Sequence, residues 1–428
     1  MRQYESYKDS GLQWLGKVPS HWKVQRTKYL WRESFEISEN GKEQLLSVSQ
    51  YDGITTNNNK SRSESLVGYK IVKADNLVIN IMLAWMGGLG VSQHEGLVSP
   101  AYCVYKITGE NNSRYFHYLY STNKYLAEFA RKSTGVIPSR WRMYTEDFGS
   151  VYSIIPQIEE QNAIVSYLDR VTADIDKAIE QQQRMIDLLN ERKQIIIENA
   201  VTKGINPNVE FKDSGLEHIG KIPSSWAVTK LKRKVTLHGR IGFRGYTNAD
   251  LVSEGEGAIT LSPSNMVSGK MNYAKCSYLS WAKYFESPEI MVQNNDILFV
   301  KTGSTYGKSS LVENLPMETT INPQILLLKE YDIHMPFLAY LLQTQVILKQ
   351  VEYFVIGSTI PTISQFAIGN IQFACPNRTE QIQIADYLNS IVEEIDTPIR
   401  KCNETISLLQ ERKRIIINDV VTGKIKVS

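Results

Sequence analysis

The chain has 428 residues, a formal net charge of +3, 42% hydrophobic residues and a sequence pI near 8.4. This length allows two to three domains with buried cores, and no run of about 18 apolar residues is available to cross a membrane. Four cysteines without a CxxC pair, and six histidines without an HExxH motif, argue against zinc sites and disulfide frameworks. We therefore expect a cytoplasmic protein with reduced cysteines and no metal of its own.

In chain order, the first feature is a fifteen-residue box, KDSGLQWLGKVPSHW, at 8–22. It returns as KDSGLEHIGKIPSSW at 212–226 with ten of the fifteen positions identical. A second segment, LLNERKQIII at 188–197, returns as LLQERKRIII at 408–417 with eight of ten identical. Such self-similarity indicates a duplicated unit. Each half of the chain therefore consists of a box, a long variable stretch and a repeated segment.

The two variable stretches share a faint framework. The segments that align are 74–82 with 294–302, 96–107 with 319–330, 114–132 with 336–354, and 135–140 with 358–363. This framework predicts one topology built twice with different surface residues. The predicted domains are two mixed α/β domains at 1–155 and 206–375, and two helical segments at 156–205 and 376–428.

Apolar residues in both helical segments recur at alternating steps of four and three, which is typical of a coiled-coil seam. The predicted packing residues are Ile164, Leu168, Val171, Ile175, Leu189 and Ile196 in the first segment, and Ile384, Leu388, Ile391, Ile395, Leu409 and Ile416 in the second. Arg192 and Arg412 fall at matching seam positions, where polar residues fix register. Two such helices favour an antiparallel pair within the chain, although one alone would suit a core or oligomerisation helix.

Pro398 interrupts the second helical pattern. Because proline has no backbone N–H, it fits best as the first residue of a helix, with Thr397 or Asp396 as the N-cap. We therefore expect a kink or break near 395–398.

The segment KTGSTYGKSS at 301–310 follows a strand-like ILFV and resembles a phosphate-binding P-loop. A P-loop requires four residues between its glycines, whereas only three separate Gly303 from Gly307. The preferred interpretation is a glycine-rich turn that contacts a phosphate or a base edge, and a purely structural hairpin turn remains an alternative. The side chains that could make such contacts are Lys301, Ser304, Tyr306 and Lys308.

Other basic residues are candidates for nucleic-acid contact, since arginine and lysine suit phosphates and guanine edges. They are Lys60 and Arg62 in a polar loop, Arg140 and Arg142 on either side of Trp141, and Arg240 and Arg244 in the glycine-rich stretch HGRIGFRGY. A solvated loop or surface is the alternative for each. No [DN]PP[YF] motif for adenine methylation occurs, and the isolated E-x-K at 210–212 has no suitably placed upstream aspartate.

The box and the LL.ERK.III segment each occur twice, and the entries PQIEEQ and PNRTEQ precede the repeated helices. The variable stretches add AWMGGLG at 84–90, SPAY at 99–102 and GSTIP at 357–361, with TGVIPSRW in the first stretch where GSTIP is typical. Across almost its whole length, the chain thereby resembles the specificity subunit of type I restriction-modification systems.

The resemblance implies an α+β fold with two target recognition domains, joined by two long antiparallel, coiled-coil-like helices in a pseudo-two-fold internal repeat. Each domain would recognise one half of a bipartite, asymmetric target in double-stranded DNA. The helices would space the domains and dock two modification (methyltransferase) subunits, which restriction (endonuclease and translocase) subunits join. S-adenosylmethionine, ATP and Mg²⁺ are expected on those partners, with neither catalysis nor a cofactor in this chain.

Two alternatives remain from the sequence. One is a coiled-coil scaffold that binds only proteins. The other, which the glycine spacing disfavours, is an NTPase or nuclease that uses the 301–310 segment.

Overall fold

The computed structural model describes residues 2–50, 53–57, 65–135, 137, 141–267, 269–357 and 359–427. The chain divides into a first unit, Met1–Gln183 with Asn403–Ser428, and a second unit, Arg184–Cys402. Each unit therefore contains one variable stretch and parts of both helical segments. Within the described ranges, no helix is both long and apolar enough to span a membrane.

The first unit is built around the antiparallel sheet β4-β11-β8-β9. Its described strands are β1 Tyr7–Asp9, β2 Lys17–Pro19, β3 Lys23–Arg26, β4 Trp31–Glu33, β5 Leu46–Ser49, β6 Gly53–Thr56, β7 Lys70–Val72, β8 Leu77–Ile79, β9 Leu89–Val91, β10 Gly96–Val98, β11 Cys103–Ile107 and β12 Tyr152–Ile155. Its helices are α1 Ser113–Tyr120, α2 Asn123–Lys132 and α3 Thr145–Ser150, and the long helix α4 Ile158–Lys203 begins in it.

The second unit contains the antiparallel sheet β16-β25-β22-β23 and a second sheet, β17-β21-β18-β24. Its described strands are β13 Phe211–Asp213, β14 Lys221–Pro223, β15 Ala227–Lys230, β16 Val235–Gly239, β17 Leu251–Val252, β18 Gly257–Leu261, β19 Met266–Val267, β20 Lys270–Met271, β21 Ser277–Ser280, β22 Ile297–Val300, β23 Ser309–Leu311, β24 Thr319–Ile321, β25 Ile325–Glu330 and β26 Gln372–Cys375. Its helices are α5 Trp281–Phe285, α6 Met335–Leu341, α7 Gln345–Phe354 and α8 Gln365–Gly369, and the long helix α9 Arg378–Val421 begins in it.

The sheets β4-β11-β8-β9 and β16-β25-β22-β23 have the same topology. Strands β4, β11, β8 and β9 hold the places that β16, β25, β22 and β23 hold in the second unit. In both units a helix pair follows, then a short helix, and then a strand that pairs with the strand after the box: β12 with β3, and β26 with β15. The predicted duplicated framework is therefore confirmed, including the segments that aligned only faintly.

Different side chains fill this shared framework. The core of the first unit is a cluster of aromatic rings, contributed by Tyr115, Phe116, Tyr120, Tyr125, Phe129 and Phe148. The corresponding core of the second unit is mainly aliphatic, with Ile297, Leu326, Leu328, Leu338 and Ile347. A core tolerates such replacement when its total volume and pattern are kept, so the repeats diverged without a change of topology.

The repeated box fastens each domain to the start of a long helix. The indoles of Trp22 and Trp226 are fully buried. Trp22 Nε1 donates to Glu160 at 3.1 Å, and Trp226 Nε1 donates to Glu380 at 3.0 Å. Because each glutamate lies in the first turn of α4 or α9, the buried bond fixes where the helix leaves its domain. This contact gives a structural reason for the two copies of the box.

In the first unit, the beginning of α4 packs antiparallel against the end of α9. The Tyr115 hydroxyl, which has one proton to donate, lies within hydrogen-bond distance of two carbonyl oxygens. They are that of Ile154, just before α4, at 3.3 Å, and that of Val421, the last residue of α9, at 3.1 Å. Farther along both helices, Lys413 Nζ lies 2.7 Å from Asp176 Oδ1. The contacts thus proceed in opposite directions along the two helices.

In the second unit, the beginning of α9 packs antiparallel against the end of α4. Trp226, which donates to Glu380 at the start of α9, lies beside Gly204 at the end of α4. Farther along, Lys193 Nζ lies 2.6 Å from Asp396 Oδ1. The predicted antiparallel pairing of the helices is therefore present in each unit.

The strict heptad seam is accurate near the start of each helix and again at Ile416 of α9, and it drifts late in α4. Ile164, Leu168, Ile175, Ile384, Leu388, Ile395 and Ile416 are buried, whereas Val171, Leu189, Ile196, Ile391 and Leu409 are half-buried. Late in α4, Ile197 is buried, one residue from the predicted Ile196. A straight helix has 3.6 residues per turn, so it drifts by about 20° per heptad from a 3.5-residue repeat. Arg192 and Arg412 are exposed, and the next residue, Lys193 or Lys413, makes the interhelical contact.

The predicted break near Pro398 is wrong, since α9 continues through it as one helix. An interior proline removes a hydrogen bond and costs about 3 kcal/mol. Buried Ile395 and Cys402 hold the helix on either side. The Thr397 hydroxyl also donates to the Glu393 carbonyl at 2.9 Å. The packing of these residues thus offsets the free-energy cost of the proline.

Candidate functional site

In the second unit, one end of the central sheet brings the predicted basic segments together. The register pairs Gly239, the last residue of β16, with Leu326, and Val300, the last residue of β22, with Ile325. The segments 240–246, 301–308 and 322–324 therefore leave the sheet at the same end. The loop 356–363 joins them, because Thr302 pairs with Thr362 and Ile363 N donates to Lys301 O at 2.8 Å. We call this surface the second-unit edge.

The 301–308 segment is a hairpin turn between the antiparallel strands β22 and β23. A P-loop instead connects a strand to a helix whose N-terminus faces the phosphates. Gly303 and Gly307 both have left-handed backbone, with φ of 105° and 81°. Glycine at these positions allows the tight turn. The geometry therefore favours the glycine-rich turn over the NTPase interpretation.

The four candidate side chains of this turn have different environments. Ser304 is exposed, whereas Tyr306 packs partly against the core. Lys308 Nζ donates to the Pro263 carbonyl at 3.4 Å. Lys301 is half-buried, and a Cβ atom at Gly239 would lie only 3.2 Å from its Nζ. Burial lowers the pKa of Lys301. An acceptor brought by a ligand would stabilise this poorly solvated ammonium.

Arg240 is buried, so its predicted role as a surface contact needs correction. Its guanidinium donates to Ile321 O at 3.2 Å, Thr320 Oγ1 at 3.0 Å and Arg244 O at 3.4 Å, and it stacks on the ring of Tyr246. A buried guanidinium needs its hydrogen bonds satisfied, and this one obtains them within the protein. Arg240 therefore supports the 240–246 loop from beneath. Arg244 remains partly exposed and contacts Glu289 at 3.4 Å.

The matching end of the first-unit sheet has different chemistry. The turn 80–88 follows β8 as 301–308 follows β22, and it contains no charged residue. Trp85 packs edge-to-face on Trp141, with ring centroids 5.3 Å apart, and Met82 and Met86 are exposed. Met143 N donates to Ile81 O at 3.0 Å, as Ile363 N does to Lys301 O in the second unit. We call this surface the first-unit edge.

Of the basic candidates in the first unit, Arg142 is half-buried, pairs with Thr134 through the backbone and donates to its neighbour's carbonyl, Trp141 O, at 3.4 Å. Lys60, Arg62 and Arg140 lie outside the described residues. A search for basic residues missed the exposed methionines and the tryptophan pair. The apolar, glycine-containing segment AWMGGLG, read as a turn at the end of a strand, is the signal that could have identified them.

The long helices present a second candidate surface, made of repeat-equivalent aliphatic side chains. In the second unit, α4 exposes Leu188 and Ile195 by 62% and 54%. In the first unit, α9 exposes their equivalents, Leu408 and Ile415, by 72% and 50%. Apolar side chains that stay exposed at the same positions of both repeats indicate a contact surface for another protein. We call these the helix faces.

Comparison with known proteins supports the family resemblance found in the sequence. Residues 249–406 match the family model described as the type I restriction modification DNA specificity domain. The chain is 26% identical over 377 residues to the type I restriction enzyme MjaVIII specificity subunit of Methanocaldococcus jannaschii, with 84% of each chain covered. The sequence resemblance is thus confirmed: the chain is similar to the specificity subunits of type I restriction-modification systems.

The fold has solved counterparts. A chain from a structure on complex assembly and conformational transition of the type I R-M system superposes with a TM-score of 0.68 at 13% identity, over 94% of this chain and 98% of that one. The HsdS subunit from Thermoanaerobacter tengcongensis gives a TM-score of 0.45 at 14% identity, over 95% and 98%. The first of these confirms the predicted α+β architecture with long helices.

Proposed function

We propose that this chain is the non-catalytic subunit that selects the DNA target of a type I restriction-modification complex. Each unit recognises one half of a bipartite, asymmetric sequence in double-stranded DNA through its sheet edge. The observation that carries this proposal is the duplication. The central sheets of the two units have the same strand order, but the loops at their ends have different chemistry. A repeated framework with unlike loops suits a target with two unlike halves.

The chemistry of the second-unit edge suits phosphate and base contacts. Lys301, Lys308 and Arg244 supply cations, and Ser304 supplies an exposed hydroxyl. Phosphate contacts orient a protein on the duplex, whereas contacts to base edges give specificity. Because Lys301 is half-buried and burial lowers its pKa, we assign it a base or phosphate acceptor that becomes available only in the complex.

The first-unit edge depends more on apolar contact. Its turn offers Met82, Trp85 and Met86, which suit thymine methyl groups and base faces. The cationic candidates there are Arg142, Lys60, Arg62 and Arg140. The two units thereby have different means of recognition, as two different half-sites require.

The helix faces are the proposed docking surfaces for two modification subunits, one on each repeat. Leu188 and Ile195 serve one subunit, and Leu408 and Ile415 serve the other. Restriction subunits join this assembly. In this proposal the partners bind S-adenosylmethionine, ATP and Mg²⁺ and carry out methylation and cleavage, whereas this chain binds no cofactor.

The test is methylome sequencing of a host that expresses this chain with its modification subunit. The expected result is one new adenine-methylated motif with two specified halves and an unspecified gap. A complex that forms but yields no new methylated motif would contradict the proposal and favour a protein scaffold. A host that expresses the modification subunit alone is the control.

A further inference from the structure

The loop 356–363 of the second-unit edge presents two isoleucines to solvent. Ile356 and Ile360 are 73% and 63% exposed. Ile356 N donates to Thr362 O at 3.0 Å, and Thr362 N donates back to Ile356 O at 2.9 Å. This pairing closes a hairpin with Ile360 near its tip. Two large aliphatic side chains exposed on one short loop form an apolar patch, and such patches mark sites of contact with a partner.

The hairpin has a fixed position on the edge. Gly303 N donates to Pro361 O at 2.9 Å, so the residue after Ile360 is bonded to the 301–308 turn. Gly357 has φ of 93°, and a Cβ atom there would lie 3.0 Å from Ile360 O. Glycine at this position therefore allows the tight turn that carries the isoleucine.

The charge around the tip is positive. Residues 301–310 and 355–363 together contain two lysines and no aspartate or glutamate. Val300 N donates to Lys308 O at 2.8 Å, which places both lysines at the base of the same turn. An apolar tip beside a turn that carries two lysines and no carboxylate is complementary to a base step between two phosphates.

The first unit repeats the arrangement. Thr134 and Arg142 exchange two backbone hydrogen bonds of 2.9 Å, as Ile356 and Thr362 do, and Ile137 between them is 48% exposed. Both loops carry Ile-Pro although the surrounding stretches are unlike. A feature retained by two units that recognise different sequences has a role independent of base identity.

We propose that Ile360 in the second unit, and Ile137 in the first, act as apolar wedges that insert at a base step of the bound DNA and unstack it. This inference rests on the proposed function and adds to it a sequence-independent step. The inserted isoleucine replaces the stacking contact between two neighbouring bases. The neighbouring loops make the hydrogen bonds that recognise the bases. Proteins that insert isoleucine in this way kink the duplex at that step.

The experiment uses the complex of this chain with its modification subunit and its target duplex, which methylome sequencing supplies. Duplexes carry 2-aminopurine in place of single adenines along the half-site that the second unit recognises. Wild-type complex is expected to increase fluorescence at one step, and Ile360→Ala to remove that increase and weaken target binding about tenfold. Tyr331→Ala is the matched control, because Tyr331 is 74% exposed and follows β25 at the opposite end of the sheet.

Each outcome decides between explanations. Unchanged fluorescence and affinity in Ile360→Ala overturn the wedge alone. Loss of the modification subunit from the Ile360→Ala complex without DNA, seen by gel filtration, also overturns it and assigns the tip to protein contact. A wild-type complex that prefers no duplex overturns the proposed function and the wedge together. Ile137→Ala is expected to act in the same way on the other half-site.

Discussion

Lys193 Nζ lies 2.6 Å from Asp396 Oδ1 in the second unit, and the same contact recurs in the first unit between Lys413 and Asp176 at 2.7 Å. Lys413 follows Lys193 by 220 positions, as Asp396 follows Asp176. Each ion pair therefore takes its lysine from one repeat and its aspartate from the other. The same lysine and aspartate positions of the repeat therefore fix the antiparallel contact of α4 and α9 in both units.

The two ion pairs differ in burial, and we predict that they differ in energy. The Lys193 and Asp396 side chains are 22% and 19% exposed, whereas those of Lys413 and Asp176 are 30% and 57% exposed. Lys193→Met leaves a partly buried carboxylate poorly paired and is expected to lower the free energy of unfolding by about 1–2 kcal/mol. Lys413→Met is expected to cost about 0.5 kcal/mol or less. Urea unfolding followed by circular dichroism measures both, and equal losses would contradict the difference in burial.

Arg240 is predicted to act on the second-unit edge through the loop it supports. Arg240→Met leaves Thr320 Oγ1 and the Ile321 carbonyl without this donor, which is expected to cost about 2–3 kcal/mol of stability. Specific DNA binding should fall because the 240–246 loop loses its support. Arg244→Ala is the surface control and should reduce binding with little effect on stability. Thermal unfolding and target binding of both variants check this, and a fully stable Arg240→Met variant would refute it.

Lys301 predicts a pH dependence of DNA binding. Its pKa is lowered by burial in the free protein, and an acceptor on DNA would raise that pKa again. Binding then takes up a proton at pH values between the two pKa values, so affinity should fall as the pH rises through that interval. Lys301→Arg stays charged at every pH and should show a flatter profile. The other ionisable side chains on the neighbouring segments, His238, Tyr306 and Lys308, are common to both proteins. Parallel profiles in binding titrations would exclude this role for Lys301.

The helix faces predict the stoichiometry of the complex. Leu188→Asp with Ile195→Asp places two charges on one exposed apolar face and should remove one modification subunit. The equivalent pair, Leu408→Asp with Ile415→Asp, should remove the other, and all four changes should remove both. Because these side chains are exposed, the fold should be retained. Light scattering after gel filtration gives the subunit count, and two bound subunits in either double variant would refute the assignment.

The duplication made it predictable from one sequence that the two variable stretches share one topology. Two diverged copies of a framework show which positions must stay apolar, so alignments such as 74–82 with 294–302 indicated the common framework. The strand order itself comes from the structure. The role of Trp22 was not predictable, because its partner Glu160 lies 138 positions away and only the folded chain brings them together.

The errors have local physical causes. The seam drifted because a straight helix does not keep a seven-residue period, so Ile197 rather than Ile196 is buried. Pro398 stays inside α9 because the packing of Ile395 and Cys402 outweighs the free-energy cost of an interior proline. Arg240 was predicted to lie on the surface because charged side chains are usually exposed. In the structure it is buried, and its guanidinium donates hydrogen bonds to Thr320 and Ile321.

The most direct test of two independent recognition domains is the exchange of residues 23–155 for the corresponding stretch of another specificity subunit, followed by methylome sequencing. The exchange keeps the box, α4 and the whole second unit. We predict a methylated motif in which one half changes and the other half stays as in the parent chain. A motif with both halves altered would contradict independent recognition by the two units.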